Sequence, residues 1–510
     1  MRLAAVFSDN MVLQRNKKVC IFGESEKKQQ LTVSIDNITV TSEVSSGPWE
    51  IFLPEHSAGG PYDMTICTDD MSQQIVFHNV MYGEVWLNNG QSNIEFELKN
   101  AEGGYEEIMT ADCPEIRYYN VIKTGCITDE FLEEEKHTSW KTVTDKSFQD
   151  ISAIGYYYAR KLSSELGVAV GMIDCYQGGS SITCWLEKER LLATDGGRRV
   201  YNEYKSVTDS MTEKQNRDIQ DEYDKTADDF NRKVEELKKE HPEMTQREIE
   251  VIAGDYPWPP PVTSVSIFRP CAMIETMLKR VAPYTIRGVV FYQGEQDTPE
   301  NYNYYKETGK NTFYSEMLRA LIEQYRELFR DKDTPFFMFQ LPIYMEEGQE
   351  DMGDWAFLRE AQAAVADDMT GVYLVSILDL GEFGNVHPVD KKSPGLRMAA
   401  HMLDKVYGIG EAEDMIPDEV VRDDKKIIIS FFNTYGNIVI LDTNIYGFEV
   451  ITGEGKRISP HGYTDGDRIV LEVEDTVTEI SYGFFNYGRV NVYNAKHLPL
   501  RQFRITGVSL

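Results

Sequence analysis

One serine occupies a position where a hydrolase would carry its nucleophile. The segment Gly90-Gln-Ser-Asn93 follows residues 84–87, which are a candidate core strand. In open α/β sheets, ligands bind beyond the carboxyl ends of the parallel strands, so Ser92 lies where a substrate can reach it. A serine hydroxyl is a weak nucleophile until a neighbouring base accepts its proton. Because such a tetrapeptide is common in ordinary turns, Ser92 needs a base to become a candidate nucleophile.

His387 is the base that the sequence offers. It is one of eight histidines, and it alone follows a predicted core strand, the run 372–377, ahead of a helix that Pro394 begins. The others lie in predicted β regions, in polar stretches or within a helix. Imidazole is the side chain that accepts a proton near neutral pH. The shared edge of the sheet therefore predicts Ser92 and His387 as nucleophile and base.

Two glycine-containing segments also follow predicted core strands, Gln177-Gly-Gly-Ser180 and Tyr292-Gln-Gly-Glu-Gln296. Glycine lets backbone N–H groups approach a ligand closely. A tetrahedral acyl-transfer intermediate needs such donors around its oxyanion. Each segment alone is typical of an ordinary β–α turn, and beside Ser92 and His387 each is a candidate oxyanion loop.

The elements that position these residues predict three domains. Residues 1–80 show short alternating strands and form an N-terminal β domain, and residues 409–510 form a second β domain. Between them, residues 81–408 repeat strand, loop and helix, which is typical of a mostly parallel sheet covered by helices. The predicted core strands of this α/β domain are 84–87, 168–174, 288–292, 336–340 and 372–377.

A charged helical insertion interrupts the α/β domain at about residues 205–260. It has one apolar stripe, made of Ile219, Tyr223, Phe230, Val234 and Leu237. A packed surface helix is the favoured interpretation, and the alternatives are a lid or a dimer contact that would make the protein a homo-oligomer. The stiff aromatic segment Tyr256-Pro-Trp-Pro-Pro-Pro261 is either a sugar-stacking surface or a rigid linker, and the linker is slightly favoured.

Composition excludes several classes of partner. With 52 basic and 84 acidic residues the net charge is −32, which repels nucleic acid and anionic membranes. The apolar runs are shorter than the roughly 20 residues that cross a bilayer. Seven cysteines without a Cys-x-x-Cys pair predict neither a disulfide framework nor a zinc site. The first residues lack a signal peptide's apolar core, so we expect a cytoplasmic protein, although a chain trimmed of its leader would look identical.

The site segments, in this order, resemble the signature blocks of the SGNH hydrolases, and most closely those of the sialate O-acetylesterase family. The similar strings are Gly83-Glu-Val-Trp-Leu-Asn-Asn-Gly-Gln-Ser-Asn-Ile-Glu-Phe96, Gly288-Val-Val-Phe-Tyr-Gln-Gly-Glu295, and Asp379-Leu-Gly with His387-Pro388. Outside these blocks, Phe7-Ser-Asp-Asn-Met-Val-Leu-Gln-Arg15, Leu358-Arg-Glu-Ala-Gln362 and Asn494-Ala-Lys-His-Leu-Pro-Leu-Arg-Gln-Phe503 are also similar to family segments. The resemblance spans nearly the whole chain.

The resemblance implies an SGNH-type, flavodoxin-like three-layer sandwich with accessory all-β regions at both termini. It implies a carbohydrate O-acetylesterase in which Ser92 is the nucleophile and His387 the base. The oxyanion would be held by the N–H groups of Ser92 and Gly179 and by the side-chain amide of Gln293. Hydrolysis would pass through an acetyl-serine, and no metal or organic cofactor is implied.

One departure from the family pattern affects the third catalytic residue. The family places an aspartate three residues before the histidine, and Gly384 stands there in this chain. Glu382 and Asp379 are nearby carboxylates that could orient the imidazole, and a backbone carbonyl could do so in a dyad. We favour Glu382, because it needs only a modest shift of the loop. Phe291 replaces the family's tryptophan and keeps an aromatic ring there.

The departure also leaves a second function open. A carbohydrate-binding protein with a degenerate esterase site would retain the β regions and tolerate Gly384. A peptidase or lipase is disfavoured, because the sequence has neither Gly-x-Ser-x-Gly nor a long apolar lid. For the esterase, both O-acetyl sialate and neutral acetylated sugars such as acetyl-xylan remain candidate substrates.

Overall fold

The N-terminal region is built from short strands that pair antiparallel, except for Val12–Gln14, which runs parallel to Gln74–Gly90. The computed structural model describes residues 1–144, 146–241, 244 and 246–507. Gln29–Ile35 buries every second residue from Leu31 onward, as expected for a strand with one face against a core. The strands of this region are Arg2–Leu3, Val12–Gln14, Val19–Ser25, Gln29–Ile35, Ile38–Val44, Gly47–Leu53 and Gly59–Thr68.

The strand Gln74–Gly90 joins this region to the central sheet. Its first part pairs antiparallel with Gly59–Thr68. Its second part lies between Val170–Tyr176 and Gly288–Tyr292 and is parallel to both. The domain boundary predicted at residue 80 therefore falls within one continuous strand, and the division into domains stays a prediction.

The central sheet is mixed, with a parallel core. Across the sheet, its strands are Lys141–Val143, Cys113–Asn120, Val170–Tyr176, Gln74–Gly90, Gly288–Tyr292, Phe336–Gln340 and Val372–Ser376. Neighbours are parallel except at the edge, where Lys141–Val143 runs antiparallel to Cys113–Asn120. The parallel strands beside the centre are buried along their whole length, which explains why their sequences are mostly apolar.

Helices surround this sheet in two packed groups. Ala153–Leu166 packs against Lys392–Tyr407, and Phe313–Leu328 packs against Asp354–Asp368. The α-helices are Ser92–Glu95, Gly104–Thr110, Asp129–Glu135, Ala153–Leu166, Lys188–Ala193, Asp195–Thr208, Glu213–Glu240, Gln246–Ala253, Lys279–Val281, Thr298–Thr308, Phe313–Leu328, Asp354–Asp368 and Lys392–Tyr407. The mixed sheet with helices, extended by a β region at the C-terminus, confirms the predicted α/β class at this coarse level. Within the described ranges, no helix combines the length and apolar character needed to span a membrane.

The C-terminal region is again built from β-strands and has its own apolar core. Its strands are Ile416–Asp423, Lys426–Phe432, Val439–Ile440, Phe448–Thr452, Arg457–Ile458, His461–Asp465, Arg468–Glu472, Val477–Tyr482, Val492–Tyr493 and Phe503–Thr506. Arg359 joins it to the α/β region: its buried guanidinium donates to the Gly483 carbonyl at 3.1 Å and to the Gln502 side chain. The arginine of the family-like string 358–362 therefore holds two regions of the chain together.

The charged insertion folds back on itself. Val234 of Glu213–Glu240 packs against Ile249 and Ala253 of the next helix, with Phe230 at the edge of this small cluster. Part of the predicted apolar stripe is thus covered by the insertion's own second helix. This packing fits the favoured interpretation of a surface helix.

Candidate active site

Strand register brings three of the site segments together. Gly90 pairs with Tyr176 on one side and with Tyr292 on the other, so the three chains leave the sheet side by side. Gly90 has a φ of 134°, and a Cβ there would lie 2.0 Å from the Tyr292 carbonyl oxygen. Only glycine fits this position. The tight crossing directs the following residues, including Ser92, to the carboxyl edge of the sheet.

Ser92 and His387 are in hydrogen-bond contact. Ser92 begins the short helix Ser92–Glu95, and its Oγ lies 2.7 Å from His387 Nε2. The two residues are 295 positions apart in the chain, so the fold alone brings them together. This is the geometry that general-base activation of a serine requires.

A network of side chains braces the loop that carries His387. Asn385 Oδ1 accepts a hydrogen bond from the His387 backbone N–H at 3.1 Å. Asn385 in turn donates to Glu382 Oε2 at 2.7 Å, and Glu382 Oε1 accepts from the Val389 N–H at 3.2 Å. The Glu382 carboxylate therefore fixes the loop on both sides of the histidine.

Gly384 and Asp379 make separate structural contacts at this loop. Gly384 has a φ of 67° and donates its N–H to the Met345 carbonyl. Glycine adopts this left-handed conformation without steric cost, so the backbone of the loop accommodates the departure from the family pattern. Asp379 accepts two hydrogen bonds from Arg397, at 2.7 and 3.0 Å, and both side chains are nearly buried. Its carboxylate serves an ion pair that anchors the start of the loop.

The first glycine loop lies against the nucleophile. A Cβ on Gly178 would lie 3.4 Å from Ser92 Cβ, and the Gly178 N–H donates to the Glu95 carboxylate. Glu95 also pairs with Lys123. Gly179, with a φ of 71°, follows directly. Its role as an oxyanion donor stays a prediction.

Gln293 is completely buried. Its Nε2 donates to Asp297 Oδ2 at 2.6 Å and to the Ser180 carbonyl at 3.0 Å, and its Oε1 accepts from Tyr314 at 2.8 Å. Burial raises the pKa of Asp297 to about 6. The Gln293 amide would have to exchange one of these contacts to reach an oxyanion, and its predicted role stays a prediction.

A buried polar network, which the sequence did not indicate, surrounds Asn93, the residue after Ser92. Asn93 Oδ1 accepts from the Lys391 ammonium at 2.6 Å, and Asn93 Nδ2 donates to Glu295 Oε1 at 2.8 Å and to the Val386 carbonyl at 3.0 Å. Burial lowers the pKa of Lys391 to about 7 and raises that of Glu295 to about 7. Asn93 and Glu295 belong to the family-like strings 83–96 and 288–295, which could have identified them as site residues. Lys391 lies outside these strings.

Comparisons with known proteins bear on the family resemblance. Residues 268–404 match the family model "Carbohydrate esterase, sialic acid-specific acetylesterase", a segment that contains His387 but not Ser92. The rat sialate O-acetylesterase is 24% identical over 448 residues, which cover 80% of this chain and 74% of the relative. The human sialate O-acetylesterase is 22% identical over 458 residues, covering 82% and 74%. These matches confirm the family resemblance expected from the motifs.

One solved structure supports the fold along the whole chain. A novel carbohydrate acetylesterase from Xanthomonas citri superposes with a TM-score of 0.76 at 22% sequence identity, covering 99% of each chain. At that identity the likeness bears on the fold alone. It covers the N-terminal strands and the C-terminal β region as well as the central sheet.

Proposed function

We propose, on the premise that this chain is a relative of the sialate O-acetylesterases, that it is a carbohydrate O-acetylesterase, a carboxylic ester hydrolase that releases acetate from sugars. The contact of 2.7 Å between Ser92 Oγ and His387 Nε2 carries this proposal. It supports a serine mechanism, since the imidazole lies within reach of the proton that the nucleophile must lose.

In the proposed reaction His387 Nε2 takes the proton as Ser92 Oγ attacks the acetyl carbonyl carbon. The carbonyl electrons move to oxygen, where the N–H groups of Ser92 and Gly179 and the amide of Gln293 would stabilise the negative charge. The imidazolium then protonates the departing sugar oxygen, which leaves an acetyl-serine. Water, deprotonated by the same histidine, attacks the acetyl carbonyl carbon, the bond to Ser92 Oγ breaks, and the imidazolium returns the proton to Oγ as acetate is released.

Glu382 is the proposed orienting acid, acting through the loop. Its hydrogen bonds to Asn385 and to the Val389 N–H support this role, since they fix the backbone on both sides of His387. Asp379 is the weaker candidate, because Arg397 engages both of its oxygens.

We further propose the three-layer SGNH-type sandwich for the central region. The parallel core strands, the two helix groups and the site segments at the carboxyl ends of the strands support it. The seven free cysteines support a reducing compartment, the cytoplasm, as the location of the protein.

The competing proposal is a carbohydrate-binding protein whose esterase site has decayed, which Gly384 favours. Reaction with an activated acetyl ester, followed by rapid quenching and peptide mass spectrometry, separates the two. The esterase predicts one acetyl group on the peptide containing Ser92 and none in Ser92→Ala. Saccharide binding without labelling or acetate release would favour the binding protein.

A further inference from the structure

An exposed tryptophan from the insertion stands over the proposed oxyanion loop. A Cβ on Gly179 would lie 2.4 Å from Cη2 of Trp258, so the indole ring touches this glycine. Phe268 supports the ring edge-on, with 5.7 Å between ring centroids. The Trp258 side chain nevertheless remains 44% exposed. The segment 256–261, for which the sequence slightly favours a rigid linker, therefore places an aromatic surface next to the site.

The prolines after Trp258 hold this surface in place. Pro259, Pro260 and Pro261 restrict the backbone that carries the ring, so little conformational freedom remains to be lost when a ligand binds. The start of the segment is also tied down, since Tyr256 packs edge-on against Phe230 of the long insertion helix at 5.3 Å. The ring is a preorganised surface rather than the tip of a free loop.

A groove of about 470 Å³ opens from Gly179 along this ring. Its volume falls within the roughly 300–1,000 Å³ of small-ligand sites. The lining combines aromatic and proline rings with a few polar groups, among them Tyr204, Trp258, Pro260, Phe268, Gln296 and Glu300. Gly178 and Gly179 lie between the groove and Ser92. A sugar ring stacked on Trp258 is therefore separated from the nucleophile by this loop.

The charges around the groove disfavour an anionic ligand. Glu300 and Glu203, which pairs with Arg199 at 3.4 Å, line it, together with the buried Asp297. Arg269 also lines it, but its Nη1 donates to the carbonyls of Gly125 and Ser266, at 2.6 Å each. Added to the net charge of −32, these carboxylates make the groove unfavourable for a sugar that carries its own carboxylate.

We propose that this groove binds the saccharide of a neutral O-acetylated oligosaccharide, with Trp258 as the platform on which one sugar ring stacks. Trp258 is then a specificity-determining residue, because it holds a ring of the oligosaccharide next to the acetylated ring that Ser92 attacks. The proposal rests on the esterase function proposed above. It assigns the insertion to substrate selection and favours neutral glycans over sialate.

The kinetic test compares three substrates: acetylated xylotriose, O-acetyl sialate and ethyl acetate, which is too small to reach the platform. Trp258→Ala should lower the ratio of kcat/KM for acetylated xylotriose to that for ethyl acetate about tenfold, and Trp258→Phe should lower it less. Phe52→Ala removes an exposed aromatic from the N-terminal region and serves as the matched control. It should leave the ratio unchanged.

The charge argument has its own variant. The wild type should hydrolyse acetylated xylotriose with a kcat/KM at least tenfold above that for O-acetyl sialate. The double substitution Glu203→Gln with Glu300→Gln should raise the ratio of kcat/KM for the sialate to kcat/KM for acetylated xylotriose several-fold. A wild type that prefers the sialate would overturn the assignment of substrate class.

A binding measurement separates failure of this proposal from failure of the esterase function. In the Ser92→Ala background, acetylated xylotriose should change the tryptophan fluorescence, and the change should vanish when Trp258→Phe is added. An unchanged signal in the double variant, or equal losses on all three substrates in Trp258→Ala, would overturn the platform. Neither outcome affects the Ser92 labelling test.

Discussion

Lys391 donates a hydrogen bond to Asn93 over 2.6 Å although both side chains are buried. This contact connects the segment after His387 to the residue next to Ser92. Asn93 also reaches the Val386 carbonyl, directly before the histidine. Asn93 thus connects the segment of the nucleophile with the segments directly before and after the base.

Lys391→Met should remove the hydrogen bond that connects the segment after His387 to Asn93. Removing the ammonium leaves Asn93 Oδ1 without this donor and takes a cation from the neighbourhood of buried Glu295. We expect kcat to fall about 10- to 100-fold with little change in KM, and the free energy of unfolding to fall by about 3 kcal/mol. Steady-state kinetics and urea denaturation measure both effects. Lys392→Met, at the exposed neighbour, is the control, and equal behaviour of the two variants would refute the role of Lys391.

Glu382→Gln should impair catalysis more than stability. The new amide group would face Asn385 Nδ2 or the Val389 N–H, donor against donor, and the loop would lose the position it gives His387. We expect kcat to fall about 100-fold. Exposed Glu347→Gln is the control. Near-normal turnover in Glu382→Gln, combined with a large loss in Asp379→Asn, would move the orienting role to Asp379, and near-normal turnover in both would indicate a dyad.

Asp174 should make stability depend on pH. Burial raises the pKa of its carboxyl from 3.8 to about 7. Between these two pKa values the folded protein holds a proton that the unfolded chain has released. The free energy of unfolding therefore falls as pH rises from about 4 to about 7. Between pH 5 and pH 8 the wild type should lose on the order of 2–3 kcal/mol more than Asp174→Asn. Urea denaturation at both pH values tests this, and parallel behaviour of the two proteins would contradict it.

Gly90→Ala should destroy the crossing that positions Ser92. The added Cβ would lie 2.0 Å from the Tyr292 carbonyl oxygen, on a backbone with a φ of 134°. We expect a loss of at least about 3 kcal/mol of unfolding free energy together with loss of activity. Gly309→Ala isolates the backbone contribution, since φ there is 72° and no atom lies within 4 Å of the new Cβ. It should cost about 1 kcal/mol and retain activity.

The sequence was informative where local pattern decides structure. Gly288–Tyr292 is a continuous apolar run, and Gln74–Gly90 contains the apolar stretch 85–87 before Gly90. A parallel sheet with its carboxyl edge follows from such strands, which is why the meeting of Ser92 and His387 could be expected. The C-terminal strands could also be predicted from their local apolar pattern. Glycines after these strands indicated close backbone approach.

Contacts between distant segments were not accessible in this way. Lys391 looks like any charged residue near a helix start, and only the packed structure shows it buried against Asn93. Trp258 sits in a proline-rich segment whose course over Gly179 depends on how the insertion packs. The strand Gln74–Gly90 crosses the predicted domain boundary, because its two ends pair with different partners.

The most direct test of the account is acetate release from acetylated xylotriose by Ser92→Ala. The wild type should release acetate, and the variant should be slower by at least about 10⁴-fold while retaining its fold. Ser210→Ala, at an exposed serine, controls for substitution as such and should match the wild type. Acetate release by Ser92→Ala at the wild-type rate would contradict the assignment of the nucleophile.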